Sequence, residues 1–316
     1  MELKKPFLTY DEQIQKLEEK GLSVPNHDAA ILLLKDHSYF SFISGYKRPF
    51  KNTAGTYHAG TSIQDIYALY QFDDKLRRIL LSYILLVEKR VKSLWAYSFA
   101  STFGAEQRYY LDTTKYQYTD IALQPKINEL VSILTKLVTA PFQHPYIEHQ
   151  CKRHGNIPPW VIVKALTFGQ VSVMYSLSQP TVRTSMRSEY SAITHDSQLE
   201  AMLNVLSKFR NVCAHNERLY DYRTHSAILQ DTIVHPELNI PQNNSQYKYG
   251  KSDLFAAVIA LKHLLERAHF GCLVSDISDC IEDLYQDTSR VQRDHLLKKM
   301  GFPHNWETIK DISFSK

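Results

Sequence analysis

The sequence predicts an all-α fold, a helical bundle with additional N- and C-terminal helices. Three observations carry that expectation. Apolar residues recur at helical spacing along most of the chain. Capping pairs of the form [ST]-x-x-[EQ] stand in front of several of these runs. Only 10 glycines and 12 prolines interrupt 316 residues, few for a fold of many short strands. No strand pair reads convincingly. With 44% of its residues hydrophobic, the chain can bury a substantial core as one large domain or two small ones.

Each element has a local reason. Thr9 and Glu12 form a capping box that opens a first helix, and Gly21 stops it. A second helical stretch runs from about Asp28 to Gly45. The loop KRPFKNTAGTYHAG follows, with Pro49, Gly55 and Gly60. Thr61 and Gln64 make the next capping box. Beyond it Ile63, Ile66, Tyr70, Leu76, Leu80, Tyr83, Val87, Val91 and Leu94 keep helical spacing as far as Gly104, one very long helix or two joined at a kink. Pro125 and Pro145 stand as first-turn prolines. Thr167 with Gln170 caps LTFGQVSVMYSL, and Ser197 with Glu200 caps a helix that ends in RNVCAHNERLYDYR, residues 210–223. Residues 230–250 are polar and rich in Pro and Asn, a long loop. Ser252 caps a helix through Leu254, Val258, Leu261 and Leu265, and 277–300 reads as one or two short helices closed by Gly301. The expected organisation is one domain, 1–316, with N-terminal helices (about 1–60) and C-terminal helices (about 251–316) packed on a core of about 61–229.

Composition narrows the function. There are 37 Lys+Arg against 33 Asp+Glu, a net charge of +4. That balance admits a nucleic-acid partner without requiring one. Cys151, Cys213, Cys272 and Cys280 form no C-x-x-C pair and fit a reduced, cytoplasmic protein. MELKKPFLTYDEQ lacks the apolar stretch of a signal peptide. The most apolar run, ILLSYILLV at 79–87, is shorter than the roughly 20 residues of a membrane span, so no membrane partner is expected. There is no Walker A loop, G-x-G-x-x-G fingerprint or G-x-S-x-G elbow, and no cofactor is implied.

The stretch RNVCAHNERLYDYR raises a question of its own. Counted from Leu199 at about 100° per residue, Arg210 falls in the centre of the stripe of Leu199, Leu203, Leu206 and Cys213. A lone charge in a core is costly unless paired. Asn211 and His215 are four apart on a neighbouring face, which Arg218 and Tyr222 continue if the helix persists. Two structural explanations compete with a functional one. Arg210 can pair with a carboxylate such as Glu88, and His215 can complement the helix dipole from the last turn.

Arg210-Asn211-x-x-x-His215 matches the R-N-x-x-x-H form of the R-x4-6-H motif of HEPN-domain ribonucleases. The wider context, FRNVCAHNERLYDYR, resembles the Abi-like abortive-infection proteins of the AbiD/AbiF kind. So do KPFLTYDEQIQKLEEKGL, YFSFISGYKRPF at 39–50, GTSIQDIYALYQFDDKLRRILL at 60–81, WVIVKALTFGQVSVMYSL at 160–177 and MGFPHNW at 300–306. The resemblance covers nearly the whole chain, in order. It implies a HEPN-like helical core, a role in bacterial phage defence, an RNA-cleaving toxin activity and a homodimer. A small regulatory RNA or an antitoxin is a partner it also admits. It places Glu88 as an acidic residue supporting the motif; the alternative is an exposed Glu88–Lys92 pair. Where some HEPN toxins continue as H-x-Y, this chain has Glu217, which argues against control through that tyrosine.

The residue types suit metal-independent RNA cleavage by the substrate's own 2′-hydroxyl. Histidine serves both proton transfers near neutral pH, arginine steadies the crowded phosphorane, and Asn211 orients either. One motif supplies one histidine, so a two-fold dimer that packs the helix ends together would supply a second. Arg218 and Arg223 are the candidate RNA-binding residues, with a solvated surface role as the alternative for Arg218. Arg218 and His225 also satisfy the spacing but lack the adjacent asparagine. The other reading of the whole chain is a catalytically silent HEPN-fold module that binds RNA or protein. Two further clusters carry less. His149, Cys151 and His154 lack a fourth ligand and a common face, so no metal is expected there. Tyr109, Tyr110, Tyr116 and Tyr118 beside Arg108 and Lys115 offer either base stacking or packing.

Overall fold

The first capping box forms as its residues dictate. Thr9 Oγ1 accepts from the Glu12 N–H at 3.3 Å, the Glu12 carboxylate accepts from the Thr9 N–H at 2.7 Å, and α1 (Tyr10–Glu18) follows. The computed structural model describes residues 6–314; Met1–Lys5, where the leader sequence was sought, and Ser315–Lys316 lie outside the described residues. The chain continues through α2 (His27–His37), α3 (Ile63–Phe103), α4 (Gln107–Tyr110), α5 (Gln124–Val138), α6 (Pro145–His154) and α7 (Pro159–Ile162). The second half holds α8 (Phe168–Leu177), α9 (Pro180–Arg187), α10 (Asp196–Ala214), α11 (Val234–Glu237), α12 (Leu254–Leu264), α13 (Arg267–Asp287) and α14 (Arg293–Met300). The fold is all-α, as predicted. Pro125 and Pro145 sit in first turns, and Thr167 and Gln170 form their box.

Several boundaries differ from the sequence reading, each for a local reason. The second helix ends at His37, not near Gly45. Ser38 takes φ 57°, ψ 150°, and Phe40–Ser44 form a π-helical turn that keeps Phe42 and Ile43 buried, so the apolar pattern runs on where the α-helix does not. Ser62, not Thr61, caps α3. Its hydroxyl accepts from the Asp65 N–H at 3.3 Å, and the Asp65 carboxylate accepts from the Ser62 N–H at 2.8 Å, while Thr61 is buried. The α10 entry uses Gln198, which accepts from the backbone N–H of His195 at 3.2 Å; Glu200 is engaged instead by Arg183 at 2.7 Å. Asp253, not Ser252, caps α12, accepting from the Ala256 N–H at 3.2 Å. The helix expected from 277 begins at Arg267, because Phe270, Leu273 and Val274 extend its buried face. Gly301 closes α14 in the left-handed region at φ 80°, and a Cβ there would lie 2.2 Å from Asp253 Cγ. One two-residue strand pair exists, β1 (Gln242–Asn243) with β2 (Gln246–Tyr247), around Asn244 and Ser245 at positive φ. It is too short to show an alternating pattern.

The long run at 63–103 is one unbroken helix of 41 residues, roughly 60 Å at 1.5 Å per residue. It is the spine on which α7, α9, α10 and α13 pack. Every residue of α12 is buried, which is why that helix shows no polar face. Wedged against α3, α8 and α12, α10 has no freedom to tilt, so its C-terminus is delivered to the middle of α3.

Candidate functional site

The motif helix ends in a defined geometry. His215 is the C-cap of α10 and Asn216 adopts φ 58°. The Glu217 N–H donates to the Val212 carbonyl at 3.1 Å and the Asn216 N–H to the Cys213 carbonyl at 3.4 Å. This is a Schellman closure with asparagine in the left-handed position. The helix therefore does not persist to Arg218 and Tyr222, and neither continues the Asn211–His215 face. Asn211 and His215 are both exposed. The buried Cys213 thiol is pushed up to about 12 by burial, which keeps it a protonated, unreactive packing residue.

Arg210 lies at the edge of its apolar stripe, with 28% of its side chain exposed, and faces Glu88 of α3 across 3.6 Å. Both facing atoms, Arg210 Nε and Glu88 Oε2, are buried and neither completes a hydrogen bond among the described residues. The other Glu88 oxygen accepts from Lys92 Nζ at 2.7 Å. Glu88 pairs with Lys92 as the structural reading had it, but the carboxylate is buried, not exposed, and its second oxygen meets Arg210. The pairing explains how a charge survives on this face.

A second ion pair, which the sequence reading missed, fixes the segment after the motif. Asp73 is fully buried and Arg77 nearly so, 2.7 Å apart. Asp73 accepts from the Leu219 N–H at 2.9 Å, the Tyr220 N–H at 2.7 Å and the Tyr46 hydroxyl at 2.6 Å. Arg77 in turn donates to the Glu217 carbonyl at 3.2 Å. Burial works to raise the Asp73 carboxyl, while Arg77 and the hydrogen-bond donors work to lower it. Donors reach both oxygens, so the site is built for the carboxylate. A signal for it was available. The α3 stripe Ile66, Leu69, Leu76, Leu80 has Asp73 at the position where an apolar residue is due, with Arg77 four residues on.

His215 opens onto a cleft of about 760 Å³ between the end of α2 and the end of α10. Glu88 lines a different groove of about 470 Å³, shared with Leu85 and Trp160. Within one chain, then, Arg210 is turned against Glu88 of α3, while His215 opens onto the larger cleft. The remaining candidates are engaged. Arg218 donates to Asp221 and to the Gly45 carbonyl, both at 2.6 Å, tying the post-motif segment to the π-helical turn. Arg223 donates at 3.0 Å to the buried Asp253. Arg218 is therefore not a free surface side chain, and both arginines tie parts of the fold together. Tyr110 and Tyr116 are packing residues: both are fully buried, with hydroxyls on the Ile157 and Tyr110 carbonyls at 2.7 and 2.9 Å. Among the described residues no His, Cys, Asp and Glu cluster could hold a metal, and no helix is long and apolar enough to cross a membrane.

Chemically, the arrangement offers an exposed imidazole at the rim of a large cleft and a guanidinium oriented by a buried carboxylate. A family model described as Abi-like protein matches residues 32–221, which include Glu88 and the whole 210–215 segment. No curated protein and no solved structure matches the chain.

Proposed function

The chain belongs to the Abi-like protein family, and from that premise we propose that it is a metal-independent endoribonuclease, the toxin or effector of a bacterial abortive-infection defence against phage. The observation that carries the reading is the intact Arg210, Asn211 and His215 set at the closed end of α10, with Arg210 held by Glu88 and His215 open to a cleft of about 760 Å³. The reaction needs a base for the 2′-hydroxyl proton, a cation for the phosphorane, and an acid for the departing 5′-oxygen. The new bond joins O2′ to phosphorus and the bond to O5′ breaks, leaving a 2′,3′-cyclic phosphate and a 5′-hydroxyl. His215 carries proton transfer and Arg210 the charge; Asn211 orients them.

Arg210 is engaged by Glu88 while His215 opens onto the α2–α10 cleft, which Arg210 does not line, so the site is completed across a homodimer, with the guanidinium of one protomer beside the imidazole of its partner. Support comes from the groove lined by Glu88, the partner of Arg210, where Trp160 and Leu85 stand 54% and 44% exposed; an apolar patch beside a charged pair suits a second copy. The second reading is a catalytically silent RNA- or protein-binding module of the same fold, favoured by the engagement of Arg218 and Arg223 in internal pairs. Incubating the purified protein with total RNA in EDTA separates the two. The nuclease yields fragments with 2′,3′-cyclic phosphate ends, and His215→Ala yields none; the silent module binds RNA without cutting it.

A further inference from the structure

The cleft on which His215 opens contains a second histidine. His37, the last residue of α2, lines it together with Lys35, Phe40, Tyr70 and Arg218. The His37 ring stacks obliquely on Tyr70 with centroids 4.7 Å apart, and is bounded by Tyr67 at 5.9 Å and Phe42 at 6.3 Å. Packing therefore fixes where the ring stands. Yet its nitrogens have no hydrogen-bond partner among the described residues. The ring is half-buried, so its nitrogens are left free to meet a group that enters the cleft.

The backbone beside it is also unusual. Ser38 combines φ 57° with ψ 150°, a region that residues with a side chain seldom enter, and the chain then turns through the π-helical Phe40–Ser44. Strained dihedrals and π turns both persist where the surrounding structure enforces them, and both concentrate at functional sites. One consequence is on the surface: Phe40 is left 82% exposed at the mouth of the cleft.

We propose that His37 is the second proton-transfer residue of the RNA-cleaving site, and that the cleft between the ends of α2 and α10 seats the scissile phosphate of a single-stranded RNA with a base stacked on Phe40. The proposal rests on the nuclease reading above. It changes one part of it, since the second imidazole comes from the same chain as His215 and the dimer need supply only Arg210. The neutral imidazole of the pair takes the 2′-hydroxyl proton, and the protonated one delivers a proton to the 5′-oxygen as its bond to phosphorus breaks. Proton count and charge balance with no co-reactant. Lys35 and Arg218 flank the phosphate path, and the exposed ring of Phe40 gives a sequence-tolerant stacking face. The titratable and charged groups around His37 are Lys35 and Asp36 from α2, Tyr67 and Tyr70 from α3, and His215, Glu217 and Arg218 from the far wall.

The test is the pH profile of cleavage of a short single-stranded RNA by wild type, His215→Ala, His37→Ala and His37→Gln, with thermal melts to show that each is folded. His37→Gln keeps a polar side chain of similar bulk but cannot titrate. It should lower kcat by about 10²- to 10⁴-fold, leave KM within a few-fold, and remove one limb of a bell-shaped profile. Added imidazole should restore part of the activity of His37→Ala. If His37→Gln keeps wild-type kcat and both limbs while His215→Ala is dead, the nuclease reading stands and the role of His37 is refuted. If wild type itself cuts no RNA, the nuclease reading fails and takes this proposal with it.

Discussion

Replacing Asp73 by Asn should both loosen the fold and disable the site, because one buried carboxylate does two tasks. Asp73 is paired with Arg77 at 2.7 Å, with side chains 0% and 3% exposed. Removing one partner of a buried pair costs about 3–5 kcal/mol where it leaves an uncompensated charge; Arg77 keeps a second, more exposed partner in Asp74 at 3.0 Å, so the loss should lie near the lower end of that range. Asn also turns an N–H₂ toward at least one of the donors that Asp73 now accepts from, Leu219 N–H, Tyr220 N–H and Tyr46 hydroxyl. At roughly 2–4 °C per kcal/mol for a chain of this size, a loss of about 3 kcal/mol should lower the melting temperature by about 6–12 °C. The assay is urea unfolding and thermal denaturation of Asp73→Asn, Arg77→Met and the double variant. The double variant should recover much of the loss, since two neutral side chains replace the ion pair and Asp74 keeps Arg78 as its partner, so no buried orphan charge remains. Held at a temperature where it is still folded, Asp73→Asn should also lose RNA cleavage, because the segment 217–220 that follows His215 is anchored on this carboxylate. A loss of under 1 kcal/mol, or strictly additive single and double variants, would refute the reasoning.

Other perturbations test neighbouring parts of the account. Glu88→Gln leaves Arg210 without its counter-charge and should reduce cleavage at least tenfold with little change in RNA affinity, measured by single-turnover kinetics beside filter binding; unchanged single-turnover rates would remove Glu88 from the site. Arg223→Ala strips the partner from the buried Asp253 cap of α12 and should cost roughly 1–2 kcal/mol, discounted because the arginine is itself 43% exposed; Arg218→Ala, judged in the same urea titration, should cost less. His263 is buried, and burial together with nearby Lys262 pushes its imidazole down to about 4. The unfolded chain protonates that ring near pH 6.5 and the folded chain only near 4, so stability should be unaffected above pH 6.5 and fall by on the order of 3 kcal/mol across that window. His263→Phe should flatten this part of the stability curve, and parallel curves for the two proteins would exclude His263 as its source.

What the sequence made legible follows from the range of the forces involved. The spine helix was readable because Ile66 through Leu94 report a single buried face, a periodic signal that needs no knowledge of partners. Caps were legible to within two residues: Thr61 and Ser62, or Ser252 and Asp253, offer a capping oxygen one position apart, and the α10 cap lies at His195, two residues before Ser197. Local spacing cannot say which one the preceding loop delivers. The pairing of Arg210 with Glu88 was anticipated as one of two readings because a charge on an apolar stripe demands a partner. By contrast, the end of α2 was hidden, because a π turn at Phe40–Ser44 buries the same residues that a continuing α-helix would. The Asp73–Arg77 centre was overlooked although its residues were in plain view; what marks it is an acid in the place of an apolar residue, not a motif. The engagement of Arg223 by Asp253 and of Arg218 by Gly45 joins segments far apart in the chain, and no local pattern encodes it.

The most direct test of a site shared between protomers is complementation between two inactive proteins. Arg210→Ala and His215→Ala chains are each expected to form dimers that cut no RNA. Refolded together from urea, about half of the dimers are mixed, and each mixed dimer carries one pairing of an intact Arg210 with an intact partner His215. The account predicts that the mixture regains cleavage to about a quarter of the wild-type level, with 2′,3′-cyclic phosphate ends. A mixture shown by size to be dimeric, with exchanged subunits, that stays as inactive as either parent would contradict it.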